Sequence, residues 1–168
     1  MNGAKLEILR QDHAHLRAVL ERVDAFLVRR ASALATRRTV AAFTDEPSAG
    51  ASPLALELAA RLGTHLTTES DAECLLRGLL DRDGAADAAS RGAMGALRGE
   101  HDELRSMLAA LVRTLDGAAG ARRDEQLAVQ LRDLVDLVRI HVRKEDVLIL
   151  AASQTTMQPL RRRKGNPS

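Results

Sequence analysis

Apolar residues recur every three or four positions along four long segments of the chain. This spacing places them on one face of an α-helix, so each segment predicts an amphipathic helix. The apolar stripe of the first segment consists of Leu6, Leu9, His13, Leu16, Leu20, Val23 and Leu27. Four such helices in succession predict an all-α fold, an up-down-up-down four-helix bundle.

Clusters of Gly, Pro, Ser and Asp separate the four segments and predict loops. These clusters run from Thr44 to Pro53, from Asp81 to Gly92 and from Asp116 to Asp124. Residues 35–43 either extend the first helix or form a short additional one. We assign residues 1–155 to the bundle and residues 156–168 to a basic, flexible C-terminal tail.

The composition argues against several classes of protein. With 168 residues, 45% of them hydrophobic and 29% charged, the chain is expected to form one globular domain. It contains no Trp or Tyr, which argues against single-stranded nucleic-acid binding on aromatic platforms. The formal charge of +2, with both signs interleaved, predicts no phosphate-binding surface. We therefore expect no nucleic-acid partner.

The cysteine content and the N-terminus predict a location. A single cysteine, Cys74, excludes an internal disulfide and a cysteine-based metal site, and we interpret it as a small core residue. The N-terminal MNGAKLEILRQDH is charged, unlike a signal peptide, and no apolar run has the length of a membrane span. The chain is expected to be cytoplasmic, without a membrane partner, and a monomer or weak homodimer.

Histidines and glutamates interrupt the apolar stripes. Four of the five histidines lie on the stripes, one per helix: His13, His65, His101 and His141. Glu69 and Glu145 lie on the same stripes, each four residues after a histidine. Buried carboxylates are costly unless they are paired or bind a metal. Imidazole and carboxylate are ligands of iron, manganese and zinc, so the pattern predicts a metal site.

The positions of these residues along the helices agree with a shared site. Glu69 and His101 lie at similar distances from the second loop, and His101 and His141 at similar distances from the third. At about 1.5 Å per residue, the differences in depth are about 3 Å. In an antiparallel bundle these residues therefore reach the same layer.

The pattern H…HxxxE…H…HxxxE, with each element on its own helix, resembles the hemerythrin family, specifically its HHE cation-binding branch. The similarity extends from about Leu6 to Ala152, and the matching segments are LRQDHAHLR, HLTTE, GEHDELR and HVRKED. The resemblance implies a non-haem di-iron site with an oxo or hydroxo bridge, with manganese or zinc as less favoured metals. It implies that His13 and His65 bind one iron, that His101 and His141 bind the other, and that Glu69 and Glu145 bridge them.

The chain also departs from the oxygen-carrying hemerythrins. Those have a second histidine where this chain has Arg105, and they line the pocket with aromatic residues, which are nearly absent here. Their last carboxylate follows the fourth histidine by five residues, which here is Asp146. Helical phase favours Glu145, about 40° from His141, over Asp146, about 140° away. Asp146 is the alternative bridging carboxylate.

With the ligands that the resemblance implies, each iron has two histidines, two bridging carboxylates and one bridging oxygen. These five ligands leave one open position on each iron. We therefore expect a small diatomic or peroxide ligand (dioxygen, peroxide or nitric oxide), with peroxide- or nitric oxide-reactive activity left open. Arg105 either donates hydrogen bonds to a bound oxyanion or points to solvent. An iron- or redox-sensing regulatory module without turnover is the main alternative. A third possibility is a helical interaction module that binds no metal.

A few polar residues flank the predicted ligands. His15, Asp102 and Glu103 are expected on the surface, with a role at the metal site as the alternative for His15. Asp12 is interpreted as an exposed acid, with hydrogen bonding to a metal ligand as the alternative.

Overall fold

A computed structural model describes the backbone of residues 2–39, 51–82 and 88–162, and the side chains of residues 7–36, 51–69 and 95–150. The elements are four helices in the order α1 (Asn2–Thr39), α2 (Ala51–Arg82), α3 (Ala88–Leu115) and α4 (Ala121–Arg162). No strand occurs in these ranges. The predicted all-α four-helix bundle is confirmed.

The helix ends differ from the predicted loop boundaries by a few residues. Residues 35–39 extend α1, and residues 40–50 lie outside the described part of the chain. Pro53 lies in the first turn of α2, where its missing N–H is not needed by the helix. Helices α3 and α4 begin earlier than predicted, at Ala88 and Ala121, because the Ala and Arg residues there are strong helix formers.

The turn between α3 and α4 is fixed by Arg123. Its Nη1 donates to the carbonyl oxygens of Leu115 and Gly117, at 3.3 and 3.0 Å, and its Nη2 donates to Ser52 Oγ at 3.2 Å. These bonds satisfy carbonyls at the C-terminal end of α3 that have no partner within the helix. The five-residue connection makes α3 and α4 antiparallel neighbours.

Helices α2 and α4 also contact each other across the diagonal of the bundle. The main apolar core includes Leu20, Leu58, Leu62, Leu104, Leu111, Leu131 and Val138, all at most 2% exposed. Leu9 and Ile149 form a second, smaller buried cluster. The stripe histidines lie between these two apolar clusters, so polar groups occupy one buried layer of an otherwise apolar interior.

The C-terminal part of α4 continues as a helix past residue 155, as far as Arg162. Residues 163–168 and the side chain of Cys74 are outside the described set, so the division at residue 155 and the role of Cys74 stay predictions. In the ranges that the structure describes, none of the helices has an apolar stretch that could span a membrane.

Candidate metal centre

All six residues predicted as metal ligands are buried, with exposed fractions of 3% or less, although each is polar or charged. They are His13, His65, Glu69, His101, His141 and Glu145. Each of the four helices contributes at least one of them, because each apolar stripe carries a histidine at helical spacing. The structure brings all six together in one cluster.

Glu145 faces three of the four histidines. Its Oε2 lies 3.0 Å from His13 Nε2 and 3.3 Å from His65 Nε2. Its Oε1 lies 3.6 Å from His141 Nε2, one helical turn earlier on α4. The two oxygen atoms of this carboxylate therefore face different histidines.

Glu69 occupies the complementary position on α2. Its Oε1 lies 2.8 Å from His101 Nε2, and its Oε2 lies 3.4 Å from His141 Nε2 and 3.5 Å from His65 Nε2. The Nε2 atoms of His101 and His141 are 3.2 Å apart. All four imidazoles thus direct Nε2 towards the same two carboxylates.

The Nδ1 atoms of three histidines face a second set of carboxylates outside the cluster. His13 Nδ1 lies 2.8 Å from Asp146 Oδ1, and His65 Nδ1 lies 2.8 Å from Asp12 Oδ2. The Nδ1 atom of His141 lies 3.2 Å from Glu100 Oε2. A carboxylate at Nδ1 favours the tautomer that is protonated there, which leaves a lone pair on the inward Nε2.

Three of the inward-facing atoms lack hydrogen-bond partners. Among the described side chains, His13 Nε2, His65 Nε2 and Glu145 Oε2 are buried without a hydrogen bond. A lone pair on Nε2 facing a carboxylate oxygen is a contact between two acceptors, and a cation bound between them satisfies both. Ligand atoms of His65, Glu69, His141 and Glu145 all lie within 4.8 Å of one another. The residues therefore fit a metal.

At His13 and Glu69 the electrostatics favour a neutral imidazole and an ionised carboxylate. Burial is the main cause that lowers the pKa of His13, against the opposing hydrogen bond to Asp146. Burial raises the pKa of Glu69, but the polar contacts with the imidazoles of His101 and His141 outweigh it and bring this pKa to about 2. Neutral imidazole and ionised carboxylate are the forms that bind metals.

Two cations act on the outer carboxylates. Arg17 pairs with Asp146, and Lys144 pairs with Glu100. Burial raises the pKa of Glu100, and the hydrogen bonds from Lys144 and His141 reverse this effect and lower it. The connected groups comprise five carboxylates and two cations, which gives a formal charge of −3 when the imidazoles are neutral.

The two candidates for the last carboxylate occupy different environments. Glu145 is 3% exposed and faces the cluster, whereas Asp146 is 38% exposed and contacts the outer nitrogen of His13. The choice of Glu145 as a metal ligand stays a prediction, with the geometry in its favour.

The predicted exposure of the residues that flank the cluster is correct for some of them and wrong for one. His15, Asp102 and Glu103 are exposed, as predicted. The interpretation of Asp12 as an exposed acid is wrong, because it is 14% exposed and bonded to His65. Of the two orientations considered for Arg105, the structure shows the outward one: it pairs with the exposed Asp102 at 3.2 Å.

Sequence reasoning missed Glu100 and the outer role of Asp146. A signal was present, because Asp12, Glu100 and Asp146 each adjoin a stripe histidine or glutamate in the sequence. A residue next to the inward face of a helix lies at the seam with a neighbouring helix. Each of the three carboxylates reaches a histidine on such a neighbour.

Comparison with known protein families agrees with this geometry. The family model for the hemerythrin HHE cation-binding domain matches residues 4–152. Searches of curated proteins and of solved structures found no significant match. The match covers most of the chain, including all four helical segments that carry the buried histidines. The chain therefore belongs to the hemerythrin HHE cation-binding domain family.

Proposed function

We propose that this metal-binding hemerythrin-like protein is a non-haem di-iron protein that binds or reacts with dioxygen, peroxide or nitric oxide. The observation that carries the proposal is that Glu69 and Glu145 both lie among the inward nitrogen atoms of the four histidines. Each carboxylate faces histidines from three helices. A carboxylate whose two oxygens face different imidazoles is suited to bridge two metal ions.

The contacts suggest how the ligands divide between two metals. One oxygen of Glu145 faces both His13 and His65, which supports these histidines as ligands of one iron. His101 and His141 have adjacent Nε2 atoms, which supports them as ligands of the other. Six donors exceed the four positions of a single zinc ion, which favours a binuclear centre.

Iron held by imidazole and carboxylate supplies redox chemistry and a Lewis acid for a small oxygen-type ligand. Two imidazoles and two bridging carboxylates leave each metal with positions for solvent or a small ligand. The apolar clusters on both sides of the layer, one of them formed by Leu9 and Ile149, restrict water near it. These features favour a small uncharged or anionic ligand over a bulky substrate.

The proposal is tested by anaerobic loading of the purified protein with ferrous iron, followed by metal analysis and an optical spectrum in air. We expect about two irons per chain and near-ultraviolet bands that change with peroxide, azide or nitric oxide. His101→Ala should lose iron, whereas His15→Ala, at an exposed histidine, should load like the wild type. Protein that takes up no iron would exclude the di-iron proposal.

An iron- or redox-sensing module without turnover is the second candidate. The cluster joins all four helices, so metal occupancy is expected to stabilise the whole bundle, and a partner could detect that change. The two functions differ in kinetics. A sensor reacts stoichiometrically with peroxide or nitric oxide, whereas an enzyme consumes many equivalents per metal centre. Counting equivalents of peroxide consumed by loaded protein separates them.

We further propose a cytoplasmic protein that is a monomer or weak homodimer and has no nucleic-acid partner. The support is compositional: one cysteine, two aromatic residues and a formal charge of +2. Sedimentation of the loaded protein tests the oligomeric state.

A further inference from the structure

Arg17 and Arg105 occupy equivalent places in the sequence but different places in the structure. Each follows a histidine of the cluster by four residues, and each side chain is 48% exposed. Arg105 pairs with Asp102 on its own helix. Arg17 instead pairs across to α4 with Asp146, the carboxylate that accepts the Nδ1–H of His13. Of these two arginines, Arg17 is the one that the described contacts connect to the metal centre through a carboxylate.

A similar arrangement surrounds His141. Glu100 on α3 accepts a hydrogen bond from His141 Nδ1 at 3.2 Å and another from Lys144, which lies three residues further along α4. In both cases one helix holds a neighbour's carboxylate with an imidazole and a cation about one turn apart. A carboxylate held at two points has little freedom to leave the imidazole.

We infer that Asp146 and Glu100 are positioning residues of the metal centre, and that Arg17 and Lys144 set the negative charge that these carboxylates present to the histidines. The inference rests on the proposed function, because it requires that His13 and His141 bind metal through Nε2. The carboxylate fixes the ring and the tautomer, and its charge makes the imidazole a stronger donor. A cation on the same carboxylate offsets part of that charge.

If Asp146 positions His13 and Arg17 offsets the charge of Asp146, substitutions of these two residues should shift the midpoint potential of bound iron in opposite directions. Asp146→Asn keeps an acceptor for His13 Nδ1–H but removes the charge, so metal affinity should fall by about 10–100-fold and the midpoint potential of bound iron should rise. Arg17→Gln keeps the carboxylate but removes its cation, so the midpoint potential should fall. A residue that only held the helices together would produce no such opposite shifts.

The experiment uses the full chain. Affinities for Co²⁺ and Fe²⁺ are measured anaerobically by competition with a chelator, and potentials by spectroelectrochemical titration of iron-loaded protein. Asp102→Asn and Arg105→Gln are the matched controls, since this pair has the same chemistry and forms its ion pair on the exposed face of α3. Circular dichroism confirms that each variant folds. If Asp146→Asn does not fold, Glu100→Gln provides the same test at His141, with Glu103→Gln as its control.

Opposite shifts of the potential in Asp146→Asn and Arg17→Gln, with both controls at the wild-type value, would support the inference. Variants that match their controls in affinity and potential would overturn it while leaving the di-iron proposal intact. Wild-type protein that binds neither Fe²⁺ nor Co²⁺ would overturn the proposed function itself.

Discussion

Glu145 and Asp146 are consecutive on α4 and contact opposite nitrogen atoms of His13. Glu145 Oε2 lies 3.0 Å from Nε2 inside the bundle, and Asp146 Oδ1 lies 2.8 Å from Nδ1 at its edge. Because successive residues of a helix differ by about 100° in direction, one helix can approach the same ring from two sides. The two contacts fix the orientation of the His13 ring, and the hydrogen bond to Asp146 favours the tautomer that is protonated at Nδ1.

Loss of the inner carboxylate should disable the two-metal site. We expect Glu145→Gln to reduce bound iron from about two per chain to one or none, because a neutral amide cannot bridge two cations. Glu103→Gln, at an exposed position on α3, should load like the wild type. Metal analysis after anaerobic loading measures both. If Glu145→Gln still binds two irons per chain, Asp146 is the better candidate for the bridging carboxylate.

Metal binding should stabilise the fold. Among the described side chains, the buried polar residues include two carboxylates and no Lys or Arg, and a metal bound only in the folded state offsets the repulsion between these carboxylates. At free metal about 100-fold above the dissociation constant, the gain is about 2.7 kcal/mol, or a rise in Tm of about 5–10 °C. Calorimetry of metal-free and loaded protein measures it. An equal Tm in the two forms would contradict binding at this buried layer.

The apolar core should be far more sensitive to truncation than the surface of the same helices. Leu131 on α4 is fully buried, so Leu131→Ala is expected to cost about 2–5 kcal/mol in the free energy of unfolding. Leu56 on α2 is 59% exposed, and Leu56→Ala should change it by no more than about 0.5 kcal/mol. Urea denaturation of the metal-free variants compares the two. Similar losses of unfolding free energy in the two variants would mean that Leu56 is buried in a contact with another molecule.

Glycine should matter at the start of α4 but not within α3. Gly120 has a φ of 154°, which residues with a side chain rarely adopt, and its carbonyl accepts the first hydrogen bond of α4 from Asp124. Gly120→Ala is expected to destabilise the protein by about 1–3 kcal/mol. Gly95 lies on an exposed helical face with open space around it, so Gly95→Ala should stabilise by about 0.5–1 kcal/mol. Thermal denaturation should give shifts of opposite sign, and a stabilising Gly120→Ala would contradict the strained turn.

The helical period alone determined much of this protein. Spacings of three and four residues predicted four helices and the inward direction of His13, His65, His101 and His141. The same period favoured Glu145 over Asp146 on the inner face, because it fixes direction around a single helix axis. Each of these features depends on one helix at a time.

The contacts between helices were decided only by the tertiary structure. The sequence did not reveal that Glu100 bonds to His141, or that Asp12 is held by His65 instead of being exposed. The sequence also could not show that Arg17 pairs with a carboxylate at the metal centre whereas Arg105 does not, because both arginines follow their histidines by four residues. Such contacts depend on the rotation and axial offset of one helix against its neighbour. These quantities are set by the packing of the whole core and leave no period in the sequence.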